Sequence, residues 1–162
     1  MIILVLGNTN SGKTYYTTLL SKALPKYVVI RIDDYRRKYG DGTTEGEKQA
    51  WERLFQDVEN NEDCIVEFTG RGFHSLGLRD IIREREHIVV VIDTPCEECI
   101  SNIREGKFDG IPFPYEIGEE EMIRNFDADF KRGYLKLYWG EYLLVSSGDI
   151  CPVLARLGMF TA

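Results

Sequence analysis

Residues 7–14 read GNTNSGKT, with the spacing G-x-x-x-x-G-K-T. The stretch follows the apolar run IILVL (2–6) and precedes YYTTLLSKAL, so it joins a strand-like segment to a helix-like one. That context leaves few folds open. Gly7 and Gly12 let the backbone curl around phosphate oxygens without side-chain clash. Successive N–H groups from Asn8, Thr9, Asn10, Ser11, Gly12, Lys13 and Thr14 would then point inward, at the positive end of the helix dipole. Lys13 is placed to reach the β- and γ-phosphates, and Thr14 offers a hydroxyl to Mg²⁺. The spacing predicts a nucleoside triphosphate, ATP or GTP, bound with Mg²⁺.

The remaining pattern agrees with that start. Strand-length apolar runs occur at 2–6, 27–32, 64–68, 87–93 and 142–146. Helix-period stretches separate them at 13–24, 46–61, 78–86, 96–106 and 119–139, the last interrupted near Gly133, and 150–158 closes the chain. Strands alternating with helices mean βαβ units and a parallel sheet. The expected fold is α/β, and the resemblance of GNTNSGKT to a P-loop implies a three-layer P-loop NTPase with a five-stranded parallel sheet, order 2-3-1-4-5, flanked by helices. The expected organisation is a single domain over 1–162. GKFDGIPFPYEIG (106–118) is rich in Gly and Pro and reads as a loop, suited to a lid over about 104–118. Ligands in such sheets bind beyond the C-terminal strand ends.

Composition excludes several classes. Apolar runs fall far short of the ~18 residues that cross a bilayer, and no signal peptide is expected, so no membrane partner is expected either. A cytoplasmic setting follows, the host's cytoplasm if the protein is viral. The net charge of −7 argues against a charge-driven nucleic-acid coat protein. Cys64, Cys96, Cys99 and Cys151 read as free thiols. TPCEEC starts a helix more readily than it starts a zinc site, which needs four ligands. His74 and His87 read as surface or scaffold.

IRIDDYRRKYG places Asp33 and Asp34 at the C-terminal end of the second strand, on the γ-phosphate side. A carboxylate there can take a proton from a substrate hydroxyl or hold water on Mg²⁺. Arg36 follows within one turn and suits a substrate phosphate. The plainer alternative is that Asp34 caps a short helix and the arginines are solvated. Glu67, ending the third strand, either faces the Mg²⁺ shell or is an ordinary strand-end carboxylate. Arg71 and Phe73 lie just beyond, where an aromatic ring can stack on a base or pack in the core. Asp93 reads as structural. Arg36-Arg37-Lys38 and Arg79/Arg83/Arg85 would line a nucleic-acid groove or coat helix faces.

Taken together, GNTNSGKT, IDDYR, FTG…LRD and DTPCEECISNIREGK…IP resemble the 5′-kinase domain of phage-type polynucleotide kinase and its small P-loop relatives. The resemblance runs from residue 2 to about 140, and DDYR is its most particular block. It implies that Asp33 is the general base and that Arg36 binds a substrate phosphate, with Thr69 and Arg79 contacting the acceptor. It implies a lid whose cations embrace the triphosphate, here Arg104 and Lys107, with Asn102 where one family arginine would fall. The function so implied is ATP- and Mg²⁺-dependent transfer to a hydroxyl of a nucleic-acid end, a hydroxymethylated DNA base or a nucleotide-type substrate. The alternatives are a nucleoside, nucleotide or small-metabolite kinase, and a GTPase-like switch. The switch lacks an N-K-x-D after a later strand. The oligomeric state is left open.

Overall fold

A computed structural model describes residues 1–103 and 111–159. Its strands are β1 (Ile2–Gly7), β2 (Val28–Arg31), β3 (Cys64–Glu67), β4 (His87–Ile92) and β5 (Leu143–Val145). They form one sheet in the order β2-β3-β1-β4-β5, and every pairing is parallel. β1 lies at the centre and is buried along its whole length, which is why IILVL shows no alternation.

The helices are α1 (Lys13–Ala23), α2 (Ile32–Tyr39), α3 (Thr44–Asn60), α4 (Gly77–Arg83), α5 (Cys96–Ser101), α6 (Glu119–Lys131), α7 (Tyr134–Trp139) and α8 (Cys151–Arg156). Alternate β1 residues feed two cores. Ile2, Leu4 and Leu6 pack with Trp51, Leu54 and Val58 of α3, Leu78 of α4 and Leu135 of α7. Ile3 and Val5 pack with Tyr16 and Leu20 of α1 and with Val153 and Leu154 of α8. The result is the expected three-layer arrangement. The break expected near Gly133 is real: its φ of +84° separates α6 from α7.

One expectation about local structure needs correction. Asp33 and Asp34 do not end a strand. β2 stops at Arg31 and α2 begins at Ile32 with no intervening loop, so both carboxylates lie in the first helical turn. Asp34 does not cap the helix either, because the capping position is Arg31, with no side-chain hydrogen bond. Two acidic groups at a helix N-terminus suit its dipole. The pairs Asp33–Arg36 and Asp34–Arg37, each three residues apart, support the same turn.

The loop after β3 is held by aromatic edges. Phe68 meets Trp51 and Trp139 edge-on at 5.3 and 5.2 Å. The Trp139 indole donates to the Gly70 carbonyl at 2.7 Å. Gly70 has φ +94°, and a Cβ there would lie 2.6 Å from Leu135 Cδ2. Gly70→Ala should therefore destabilise by about 1–3 kcal/mol. A thermal melt should show Tm lowered by several degrees, and an unchanged Tm would contradict the packing described.

No helix among the described residues is long and apolar enough to cross a membrane. Residues 111–118 carry no helix or strand. The rest of the expected lid, with Arg104 and Lys107, lies outside the described residues.

Candidate active site

The GNTNSGKT loop curls between β1 and α1, with glycines where the backbone needs them. Gly12 sits at the N-terminus of α1 in the left-handed region, φ +96°, and a Cβ there would come within 2.8 Å of the Ser147 Cβ. A Cβ on Gly7 would meet Ser11 Oγ at 2.8 Å and Ile92 Cβ at 3.2 Å. Asn10 takes φ +63°, a conformation asparagine tolerates better than most residues. Lys13 Nζ donates to the Asn8 carbonyl across the loop at 2.6 Å.

The unspecified positions of the motif turn out to be anchors. Asn8 is buried; its Nδ2 donates to the Ile123 carbonyl on α6 at 3.0 Å, and its Oδ1 accepts from the Thr9 N–H at 2.8 Å. Asn10 Nδ2 donates to Glu119 Oε1 at 2.8 Å and to the Cys99 carbonyl at 3.3 Å. Asn102 donates to the Asn10 carbonyl at 3.2 Å. Thr94 Oγ1 donates to the Ser11 carbonyl at 2.7 Å. The cradle is thus strapped to α5, to α6 and to the loop after β4.

Glu67 ends β3 and is buried beneath Thr14. Its Oε2 accepts from Thr14 Oγ1 at 3.1 Å, and its Oε1 accepts from Thr17 Oγ1 at 2.8 Å. Arg31, which the sequence did not single out, approaches Glu67 to 3.7 Å and donates to Thr17 at 3.0 Å. A Mg²⁺ site fits this set. With its hydrogen donated to Glu67, the Thr14 hydroxyl would have its oxygen lone pairs available to a hard cation, and the carboxylate would supply compensating charge. The triphosphate fits as well, since Ser11 Oγ is buried in the cradle with no hydrogen-bond partner among the described residues and has a proton to give.

The cradle opens into a cleft of about 1320 Å³. Asp33, Arg36, Glu67, Thr69, Arg71 and Phe73 line it with the P-loop; Asp34 and Arg79 are not among its lining residues. Asp33 is 43 % exposed and pairs with Arg36 Nη1 at 2.9 Å. Asp34, 58 % exposed, pairs with Arg37 Nη1 at 3.3 Å. Arg79, given a place at the acceptor by the resemblance, instead stacks its guanidinium 5.3 Å from the Tyr138 ring. Arg71 pairs with Asp129 Oδ2 at 2.8 Å, and its N–H donates to Thr69 Oγ1 at 3.2 Å. Phe73 does not pack in the core. It is 83 % exposed on the cleft rim.

Arg36 is not a solvated fork. Its Nε and Nη2 both bind Glu47, the shorter contact being 2.7 Å, while its Nη1 binds Asp33. Phe113 lies against its face, 4.6 Å from ring centroid to guanidinium carbon. Burial alone would lower the Arg36 pKa, but Glu47 and then Asp33 more than offset it and the pKa is raised. Burial also pushes Tyr115 up to about 12; Arg36 opposes this, and Asp33, Glu47 and Glu119 reinforce it. Residues 111–115, from the segment expected as a lid, therefore adjoin Asp33 and Arg36.

No protein-family model matches the chain, and no curated protein does. Solved structures do match. Shikimate kinase from Acinetobacter baumannii in complex with shikimate shares 17 % identity over 98 % of this chain and 90 % of that one, with a TM-score of 0.64. The Pnkp1/Rnl/Hen1 RNA repair complex gives 18 % identity and a TM-score of 0.62, over 84 % of this chain and 45 % of that one. Deoxyadenosine kinase from M. mycoides with bound dATP gives 18 % identity and a TM-score of 0.57 over 98 % of this chain and 97 % of that one. The fold is that of the P-loop kinases, a five-stranded parallel sheet flanked by helices.

Proposed function

We propose that this protein is an ATP-dependent kinase that phosphorylates a hydroxyl group. One observation carries the reading: a P-loop cradle and an Asp33 carboxylate, on different elements, open onto the same cleft. In the proposed reaction the acceptor O–H gives its proton to Asp33 and its oxygen bonds to the γ-phosphorus. The bond from that phosphorus to the β,γ-bridging oxygen breaks, and its electron pair leaves with ADP. Lys13 neutralises charge on the transferring group. Thr14 and Glu67 would hold Mg²⁺, which supplies further neutralisation of the phosphate oxygens when bound. Arg104 and Lys107 remain proposed triphosphate contacts, on the resemblance alone.

A nucleic-acid end or nucleotide-type acceptor is the reading we favour. The DDYR block supports it, and so do the cleft-lining rings of Phe73, Tyr115 and Tyr134, since rings give a base somewhere to stack. A small-metabolite acceptor is the second reading. It draws on the net charge of −7, on the pairing of Arg36 and Arg71 with acidic side chains, and on the fold shared with a shikimate kinase.

The test is transfer from γ-labelled ATP with Mg²⁺ to a panel: 5′-hydroxyl DNA and RNA oligonucleotides, DNA with hydroxymethylpyrimidine, nucleosides, nucleoside monophosphates and small polyol acids. Label on one class names the acceptor. Phosphate released to water alone would replace the kinase reading with an NTPase switch. If the acceptor carries a base, Phe73→Ala should raise its KM by about 5- to 100-fold, the loss of one stacked base, with KM for ATP unmoved. An unchanged acceptor KM would remove Phe73 from the site.

A further inference from the structure

Among the described residues, Glu47 is a buried charged residue lining the cleft that the kinase reading has not used. It lies in the first turn of α3, is 5 % exposed, and lines the cleft with Arg36 and Trp51. Its carboxylate accepts from Arg36 Nε and Nη2 and, at 2.9 Å, from the Trp51 indole N–H. Burying such a pair is weak grounds for stability, because an apolar replacement of similar volume often serves the fold as well. The cost of placing it here points to what the pair holds.

The pair holds Arg36 in one pose. Both nitrogens on the side edge of the guanidinium are taken by Glu47, and Phe113 covers its face. The terminal nitrogens are thereby fixed: Nη1 reaches Asp33 at 2.9 Å, and of the four terminal N–H groups some remain for an incoming acceptor. Without Glu47 a long, rotatable arginine would follow Asp33 rather than orient it.

We infer that Glu47 is a positioning residue for phosphoryl transfer, acting through Arg36 to orient the Asp33 carboxylate toward the acceptor hydroxyl. It touches neither reactant. The inference rests on the kinase reading above, and the two fail differently.

The experiment is steady-state transfer by the full chain with γ-labelled ATP and whichever panel acceptor the wild type labels. Glu47→Gln keeps an oxygen for Trp51 but replaces an acceptor oxygen and the charge. Glu47→Asp keeps the charge but withdraws it by one methylene, and carries the test if Glu47→Gln folds poorly. Either variant should lower kcat by about 10- to 100-fold, the scale of an ångström-sized misplacement, with KM for ATP within about threefold. Arg36→Lys combined with Glu47→Gln should be no slower than the slower single variant, because the two act as one unit. A role in folding alone would lower Tm and leave kcat per folded molecule intact. Wild-type kcat in a folded Glu47 variant, or fully additive losses in the double variant, would overturn the inference. If the wild type labels no acceptor at all, the kinase reading falls first and this inference with it.

Discussion

Lys13→Ala is expected to abolish phosphoryl transfer, lowering kcat/KM by about 10³-fold or more, equivalent to about 4 kcal/mol of transition-state stabilisation. Lys13 opens α1 directly behind Gly12, and its ammonium lies across the mouth of the cradle, 2.6 Å from the Asn8 carbonyl. In a transition state with charge spread over the transferring group's oxygens, positioned cations do most of the work. An alanine leaves the backbone donors in place but removes the compact charge. The fold should tolerate the change. The loop is held by Asn8, Asn10, Asn102 and Thr94, so Tm should move by no more than a few degrees. The measurement is kcat/KM for ATP beside a thermal melt. A well-folded variant retaining a tenth of wild-type activity would show that this loop is not the phosphate site.

The parts legible in the sequence are those whose chemistry needs contiguous residues. GNTNSGKT must lie between a strand and a helix, and it does. The buried runs of β1 and β4 marked the sheet's centre, and Gly133 marked the end of α6. What stayed hidden depends on partners far apart in the chain. Arg36 looked like an open fork because Glu47 is eleven residues away on another helix. Only packing α2 against α3 joins them. The sequence offers α2 only as the alternative of a short helix capped by Asp34; its true start at Ile32 is hidden because no capping side chain announces it and Arg31 remains extended up to the junction. Phe73 carried no mark distinguishing core from rim. The two asparagines at variable motif positions became anchors only once α6 was folded against the loop.

Asp33→Asn should lower kcat by about 10²–10⁴-fold, the usual worth of a positioned general base, while leaving ATP binding nearly unchanged. The substitution is conservative for structure. An amide oxygen at the same place still accepts from Arg36 Nη1, now at 2.9 Å from the carboxylate, and Glu47 continues to hold the other edge of that guanidinium. What disappears is the capacity proposed for Asp33, to take the acceptor's proton as the new O–P bond forms. Asp34→Asn is the internal control. Asp34 is 58 % exposed, pairs with Arg37 and does not line the cleft, so its loss should cost less than about threefold. Adjacent positions are separated by about 100° around α2, and of this pair Asp33 lines the cleft while Asp34 does not. Single-turnover transfer and ATP titration of both variants decide the matter. Loss of kcat in Asp33→Asn with retained ATP binding fixes the base. The reverse pattern, a silent Asp33→Asn beside an inactive Asp34→Asn, would mean that α2 turns its other face to the acceptor when substrate binds.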